Sequence, residues 1–228
     1  MTPERFQRIQ SVLQRRQPDL TVLMDNVHKG HNLSAIVRSC DATNIFAVHA
    51  VKPSGAIRSH RDITSGSGKW VKTHVHQNTE DAITHLRAQG MQLLAAHLSD
   101  AAIDFRQADY TQPTAIILGG ELEGVSDLAR AEADQHIIIP MGGMVESFNV
   151  SVAAALILYE AHRQREAADM YTVSRLEPAM YKRTLFEWTQ PTLARFYTRK
   201  GITYPELDDN GDIIETDMHR HVRLGKAD

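Results

Sequence analysis

The stretch from residue 137 to 160, IIIPMGGMVESFNVSVAAALILYE, constrains the fold more than any other. Three β-branched residues, Ile137, Ile138 and Ile139, run into Pro140. Such a run forms a short buried strand, and proline stops it because it cannot donate to a sheet ladder. A loop follows from Met141 to Ser147, loosened by Gly142 and Gly143. From about Asn149 the residues Val150, Ala154, Ile157 and Leu158 recur at helical spacing. Ser147 and Asn149 stand where a helix takes its N-cap. Free backbone N–H groups collect at such a helix start and can hold a polar ligand. The small residues Ala153, Ala154 and Ala155 let another backbone pack closely.

The same rhythm fills the rest of the chain. Thr2 and Pro3 read as N-cap and first residue of an amphipathic helix, with Phe6, Ile9 and Leu13 on its apolar face, ending before Pro18. Residues 20–27 (LTVLMDNV) predict the first core strand. Asn32 is placed to cap a helix whose Leu33, Ile36, Val37 and Cys40 form one buried face. Strands are expected over 45–51, 70–75, 91–97 and 114–120, and helices over 79–89 and 124–133. Residues 52–69 predict a long glycine-, serine- and base-rich loop, and residues 98–112 a mostly polar connection. After Tyr171 the pattern turns helical and basic over 178–200, interrupted by Pro191. Residues 206–217 (ELDDNGDIIETD) predict a charged, mobile turn. Strands alternating with helices imply an α/β fold, a mainly parallel sheet with helices on both faces. The expected divisions are a basic helical extension over 1–18, the sheet domain over 19–165, and a basic helical extension and tail over 166–228.

A length of 228 residues suffices for one domain with a real core. No apolar run reaches the ~18 residues of a membrane span, and the N-terminus is not a secretory signal. Cys40 is the single cysteine, so no intramolecular disulfide can form, and the cytoplasm is the expected location. The net charge of −3 hides an uneven distribution. Residues 52–72 hold five Lys/Arg against Asp62, and residues 163–201 hold eight against four acids. Residues 73–162 hold three arginines and twelve acids. Basic charge gathered in particular segments suits a polyanion-binding face, against the plainer reading of a solvated surface.

Familiar nucleotide and hydrolase motifs fail. LGGELEG lacks the dinucleotide spacing, Gly68-Lys69 lacks the rest of a P-loop, and no GxSxG occurs. The twelve histidines form no HExxH and no Cys/His cluster, so no metal is expected. Three short constellations remain, each between a strand and a helix: Asn32 with Arg38, Gly119-Gly120-Glu121-Leu122-Glu123-Gly124, and Ser147-Phe148-Asn149.

In this order and spacing they resemble the three motifs of the SPOUT class of RNA methyltransferases, and more narrowly the TrmH family, which methylates the ribose 2′-hydroxyl. RRQPDLTV, HNLSAIVRSCDA, LAAHLSD, DQHIIIPM and NVSVAAALILYEA carry the likeness over nearly the whole chain. They are most similar to the branch of the family that acts on a guanosine of the tRNA D-loop, position 18 of the tRNA. One departure is Gly120, since the wider family often has asparagine before the glutamate. The loop RDITSGSGKW is individual in sequence.

The resemblance implies a C-terminal trefoil knot in the sheet domain, a homodimer paired there, and tRNA as partner. It implies S-adenosyl-L-methionine as methyl donor and S-adenosyl-L-homocysteine as product, with no metal and no membrane. The cofactor contacts it implies are Ala96, His97, Leu118, Gly119, Ile139, Met141, Met144, Phe148 and Asn149, with Gly142 and Gly143 letting backbone come close. It puts Arg38 at the centre of catalysis, with Asn32, Glu121, Ser147 and Asn149 orienting it. Arginine is a poor base, so Arg38 is expected to hold a phosphate and stabilise the developing oxyanion. The basic residues expected to meet RNA are Arg5, Arg8, Arg15, Arg16, Arg58, Arg61, Lys69, Arg163, Arg165, Lys182 and Arg183, with His31 beside them. Two alternatives stay open: a related enzyme acting on ribosomal RNA or another tRNA nucleotide, and a non-catalytic RNA-binding dimer of this fold.

Overall fold

The computed structural model describes residues 1–51 and 69–214. The chain divides into two compact units, Gln17–Thr172 and Met1–Arg16 with Val173–Asp228. Arg58 and Arg61, and most of the long loop expected over 52–69, lie outside the described residues.

The larger unit is built on a seven-stranded sheet: β1 (Leu20–Asp25), β2 (Ala47–Val51), β3 (Lys72–His76), β4 (Gln92–Ala96), β5 (Ile103–Asp104), β6 (Thr114–Gly119) and β7 (Gln135–Ile138). Its order is β3-β2-β1-β6-β4-β7-β5, and every neighbouring pair is parallel. Between the strands run α2 (Gly30–Ala42), α3 (Thr79–Ala88) and α4 (Asp127–Glu132), and α5 (Val150–Ala167) follows the last of them. Successive strand residues point to opposite faces, so the central strands β1, β4 and β6 feed two cores. Leu20, Val22 and Met24 of β1, with Ile116 and Leu118 of β6, meet Leu33, Ile36, Val37 and Cys40 of α2 and Ala154, Ile157, Leu158 and Ala161 of α5. Leu23, Ala115 and Ile117 face the other way, onto Ala82, Ile83 and Leu86 of α3 and Ala129 of α4. Parallel strands buried on both faces explain why the strand sequences read as unbroken apolar runs. The polar connection expected over 98–112 contains β5, which pairs with β7 through Ile103 and Asp104.

The chain lays β2 and β3 on one side of β1, and β6, β4, β7 and β5 on the other. Connections leaving β1 and β6 therefore diverge, which opens a crevice at the carboxyl ends of these two strands, the usual ligand position in parallel α/β sheets.

The β2–β3 edge carries a histidine cluster. His49, His74 and His76 share a face with His85 of α3, and the His49 ring centroid lies 5.0–5.3 Å from the other three. Nδ1 of His49 is 2.8 Å from Nε2 of His76. Burial, then repulsion from His74, His76 and His85, pushes the His49 pKa down to about 3. Among the described residues no group of three or more His, Cys, Asp or Glu is arranged to hold a metal ion, and no helix is long and apolar enough to cross a membrane.

The smaller unit contains α1 (Pro3–Gln14), α6 (Pro178–Thr189) and α7 (Pro191–Lys200). Thr2 caps α1 by accepting the Arg5 N–H at 3.3 Å. Of the segment expected to be a mobile turn, the described residues 206–214 form a short antiparallel hairpin, β8 (Glu206–Leu207) with β9 (Ile213–Ile214). Gly211 in its turn has φ +81°, and a Cβ there would come within 2.5 Å of the Phe6 ring. Leu207 and Ile213 pack on the cluster of Phe186, Ala194 and Tyr197. Apolar contact at the strand residues thus overrides the acidic turn between them.

Candidate active site

Helix α2 starts with Lys29 as N-cap and no side chain of its own bonded there. Asn32, expected as that cap, lies inside the first turn and is buried, 2% exposed. Its amide Nδ2 donates to Oε1 of Glu121 at 2.6 Å. Its Oδ1 accepts from Nδ2 of Asn149 at 3.3 Å. Glu121 also takes the backbone N–H groups of His28 and Lys29, each at 3.4 Å. A carboxylate from a distant loop thus holds the backbone that leads into α2, and its negative charge suits the positive end of that helix. Burial alone would raise the Glu121 pKa. Hydrogen bonds from Asn32 and from the backbone of Glu121, His28 and Lys29 outweigh it and hold the carboxyl below the ordinary glutamate range.

Asn149 caps α5, its Oδ1 accepting the Ser151 N–H at 2.9 Å and the Ser151 hydroxyl at 2.7 Å. One residue from each of the three constellations, Asn32, Glu121 and Asn149, therefore meets in a single hydrogen-bonded network. Arg38, on α2, and Ser147 are exposed and stand outside it.

The loop that carries Glu121 is closed by two backbone hydrogen bonds, from Gly120 N–H to Gly124 O at 3.0 Å and from Gly124 N–H to Gly120 O at 2.9 Å. A Cβ on Gly119 would lie 2.0 Å from the Gly124 carbonyl carbon, and one on Gly120 would lie 2.5 Å from the Asn26 carbonyl oxygen. The close approach at Gly119 is thus made by its own loop, whatever ligand lies beyond. Gly142 and Gly143 have no atom within 4 Å of such a Cβ.

Sequence reasoning passed over Asp25, the last residue of β1, which is wholly buried. Its Oδ1 accepts the Thr79 hydroxyl at 2.8 Å and Nδ2 of Asn26 at 3.2 Å, and its Oδ2 accepts the Ser126 N–H at 2.8 Å. A carboxylate closing an apolar strand at its carboxyl end was the available signal.

Of the residues expected to touch a cofactor, Leu118 needs correction. Its side chain is 1% exposed in the core with α2 and α5, so only its backbone is offered to the crevice. Ala96 and Ile139 are half-buried against the same core. His97 donates its N–H to Ile137 O at 3.2 Å, and its ring stands edge-on to His136 at 5.3 Å. Burial, then Arg130 and His136, lowers the His97 pKa. Met141 is half-buried, and Met144, Phe148 and Asn149 are exposed. Leu98 and Leu122 are exposed as well, at 73% and 93%. Apolar side chains bared on the loops after β4, β6 and β7, at one edge of a parallel sheet, make a lining suited to a ligand with an apolar body.

The basic residues separate sharply. Arg5, Arg8, His31, Lys69, Arg163, Lys182 and Arg183 are exposed and Arg15 is half-buried. Arg163 pairs with Glu160 at 2.7 Å, Lys182 with Glu206 at 3.1 Å and Arg183 with Glu187 at 2.8 Å. Two of the residues expected at an RNA face are not at the surface of the chain. Arg16 is wholly buried, its guanidinium 5.3 Å from the centre of the Trp188 ring. Arg165 is also wholly buried and makes five hydrogen bonds: to Tyr110 O at 2.8 Å, Gln17 Oε1 at 2.9 Å, Asp19 Oδ1 at 2.6 Å, Asp19 O at 3.2 Å and Gln112 O at 3.0 Å. That fills the five-donor fork of a guanidinium and leaves nothing for phosphate.

A profile of the SpoU rRNA Methylase family matches residues 19–159, and one of the C-terminal part of SpoU rRNA methylases matches residues 163–216. The chain is 53% identical over 215 residues to the tRNA (guanosine(18)-2′-O)-methyltransferase of Escherichia coli strain K12, covering 93% of this chain and 94% of the relative. Among solved structures, the A. aeolicus TrmH/SpoU tRNA modifying enzyme superposes with a TM-score of 0.74 at 41% identity, covering 81% of this chain and 94% of that one. An AdoMet-bound rRNA methyltransferase from Sinorhizobium meliloti gives a TM-score of 0.58 at 29% identity, covering 68% of this chain and 59% of that one.

Proposed function

The chain belongs to the SpoU methylase family, and from that premise we propose that it transfers a methyl group from S-adenosylmethionine to the ribose 2′-hydroxyl of guanosine 18 in the tRNA D-loop. The observation that carries the reading is the meeting of Asn32, Glu121 and Asn149 at the crevice of a parallel sheet. The substrate comes from the name of the Escherichia coli relative, a tRNA (guanosine(18)-2′-O)-methyltransferase.

The bared lining on the three loops fits an adenosyl group. Leu98, Leu122, Met144 and Phe148 supply apolar walls, and the open backbone at Gly142 and Gly143 leaves room for close approach. When bound, S-adenosylmethionine supplies a methyl group already activated on a sulfonium. The protein must then align the ribose oxygen and help it lose its proton. Glu121 is a weak candidate for the base, because its oxygens already accept three donors and its pKa is held low. It and Asn32 hold the start of α2, and with it the helix that carries Arg38. Arg38, exposed and outside the network, is left to hold a neighbouring phosphate and stabilise the forming oxyanion. Asn149, as the cap of α5, fixes the end of the loop after β7, and Ser147 stands exposed on that loop.

The same reading includes a trefoil knot in the C-terminal part of the sheet unit, a cytoplasmic location beside tRNA, and a homodimer. Val152, Leu156 and Tyr159 of α5 support the last. They are 44%, 39% and 69% exposed and recur every three or four residues, an apolar stripe that a second copy would cover.

The test is incubation of the purified chain with tRNA and S-adenosylmethionine, followed by mapping of 2′-O-methyl groups. A single new methyl at guanosine 18, absent from tRNA carrying adenosine there, is expected. Methylation confined to ribosomal RNA, or none at all, would overturn the reading.

A further inference from the structure

We propose that Asp25 is a positioning residue of this site: its buried carboxylate fixes where Glu121 stands by tying the Glu121 loop to the end of β1. The inference rests on the functional reading above.

Three segments converge on this one carboxylate. Asn26 is the corner after β1, Thr79 is the first residue of α3, and Ser126 is the N-cap of α4 directly behind the Glu121 loop. The donors are an amide, a hydroxyl and a backbone N–H, which a carboxylate satisfies together because it only accepts. Asp25 also stands opposite Gly119 in the β1–β6 ladder. The backbone completes the seat. Asn26 has φ 57°, and its carbonyl oxygen packs against Gly120 so closely that no side chain fits there.

The Glu121 loop is therefore fixed at both ends. Gly119 and Gly120 lie against the β1 corner, and Ser126 hangs from the Asp25 carboxylate, while Leu122, Glu123 and Gly124 between them are exposed. Cutting the Ser126 tie leaves the loop, still closed on itself by the Gly120–Gly124 hydrogen bonds, free to pivot as a unit about the β1 corner. Glu121 then loses its register with His28, Lys29 and Asn32, and through Asn32 the effect reaches Asn149. Being wholly buried, Asp25 acts only through this chain of contacts.

The experiment compares the unaltered full chain with Asp25→Ala and Asp25→Asn. It reads single-turnover methylation of tRNA, KM for tRNA, S-adenosylhomocysteine affinity by calorimetry, and the melting curve. Asp25→Ala should lower the rate at least tenfold per folded molecule and weaken S-adenosylhomocysteine at least fivefold, with KM for tRNA within twofold. Asp25→Asn should stay within about threefold of the unaltered rate, because its oxygen can keep the Ser126 N–H while its amide turns to the Thr79 hydroxyl. A purely structural role predicts a lower melting point with rate and cofactor affinity per folded molecule unchanged, and that result overturns the proposal. So does an Asp25→Asn chain as slow as Asp25→Ala, which would make the charge rather than the tie responsible. Should Asp25→Ala not fold, Ser126→Pro removes the tied N–H at a φ of −61° that proline accepts, Ser126→Ala is the control that loses only the helix cap, and a Ser126→Pro rate equal to that of Ser126→Ala then overturns the proposal. If the unaltered chain methylates no tRNA, the functional reading fails by itself, and the calorimetric arm still decides Asp25.

Discussion

At their amino ends β1 and β6 are stitched together by one guanidinium, whereas at their carboxyl ends they part into two loops, the one after β6 built on Gly119, Gly120 and Gly124. Arg165 reaches Gln17 and Asp19, just before β1, and Gln112, just before β6. It is buried and its donors are all used. At the opposite end the polar groups are Asp25, Asn32, Glu121 and Asn149, and the apolar residues around them are bared. Both ends depend on buried polar side chains, yet one is closed and the other still has surface to offer. Burial of charge marks a structural tie, and unfinished burial marks a site. Helix α5 shows the same contrast within one turn: Arg163 is exposed and paired with Glu160, and Arg165, two residues on, is the tie.

The largest effect expected is at the closed end. Arg165→Met removes the five hydrogen bonds that Arg165 gives to Tyr110, Gln17, Asp19 and Gln112. Breaking one side of a buried pair costs about 3–5 kcal/mol. In a chain of this size that lowers the melting point by roughly 6–20 °C. The methylation rate of the molecules that remain folded should hold. A melting point unmoved by the substitution would break the comparison.

Slightly smaller is the effect at the open end. Arg38→Ala should slow single-turnover methylation on the order of 10²–10³, the usual loss of one oxyanion contact. The melting point and cofactor binding should stay as they are, since Arg38 is exposed and outside the network. Near-normal turnover would remove Arg38 from the chemistry.

A third measurement asks whether acid sensitivity belongs to either end. His49 has a folded pKa of about 3 against an ordinary 6.5, so the folded chain refuses a proton that the unfolded chain accepts. Its contribution to stability is complete above pH 6.5 and is lost as pH falls toward 3, at up to about 1.4 kcal/mol per pH unit for one proton. Melts at pH 7 and pH 5 should differ less in His49→Gln than in the unaltered chain. Equal differences would shift the acid sensitivity away from the β2–β3 edge.

The smallest effect separates exposed arginines from the tie. Neutralising Arg5 and Arg8, both exposed on α1, should lower the log-affinity against log-salt slope for tRNA by roughly 0.7–0.9 each. Among correctly folded molecules, Arg165→Met should leave the slope unchanged. A slope altered only by Arg165→Met would reverse the assignment.

Periodicity carried most of the fold into view, because a two-sided parallel sheet writes itself as apolar runs between helical stripes. What escaped were features decided by contact across the chain. The residues DII in 212–214 read as part of an acidic turn, and only packing against the α6–α7 cluster makes a strand of Ile213. Asn32 has the residue type of a cap, and nothing local says that its side chain will instead be spent on Glu121. Arg16 and Arg165 are indistinguishable by type from the arginines around them. Arg165 falls on the side of α5 that meets Asp19, a geometry that no count of charges contains. Asn32, Glu121 and Asn149 were legible as a group because their loops follow the βα rhythm. Asp25 was not, because a single carboxylate at a strand end has no spacing to recognise.

The pairing of β1 with β6 also has a consequence in time. Residues 20–25 must wait for residues 114–119 before the centre of the sheet exists. The guanidinium that closes its amino end is made later still. Contacts between distant parts of a chain form slowly, because loop closure comes before any reward. A ribosome that has released only the first hundred residues has therefore exposed β1 to β4 while β1 and β4 both lack the strand that lies between them. Until β6 arrives, the apolar face of β1 is the segment most in need of shelter from other chains.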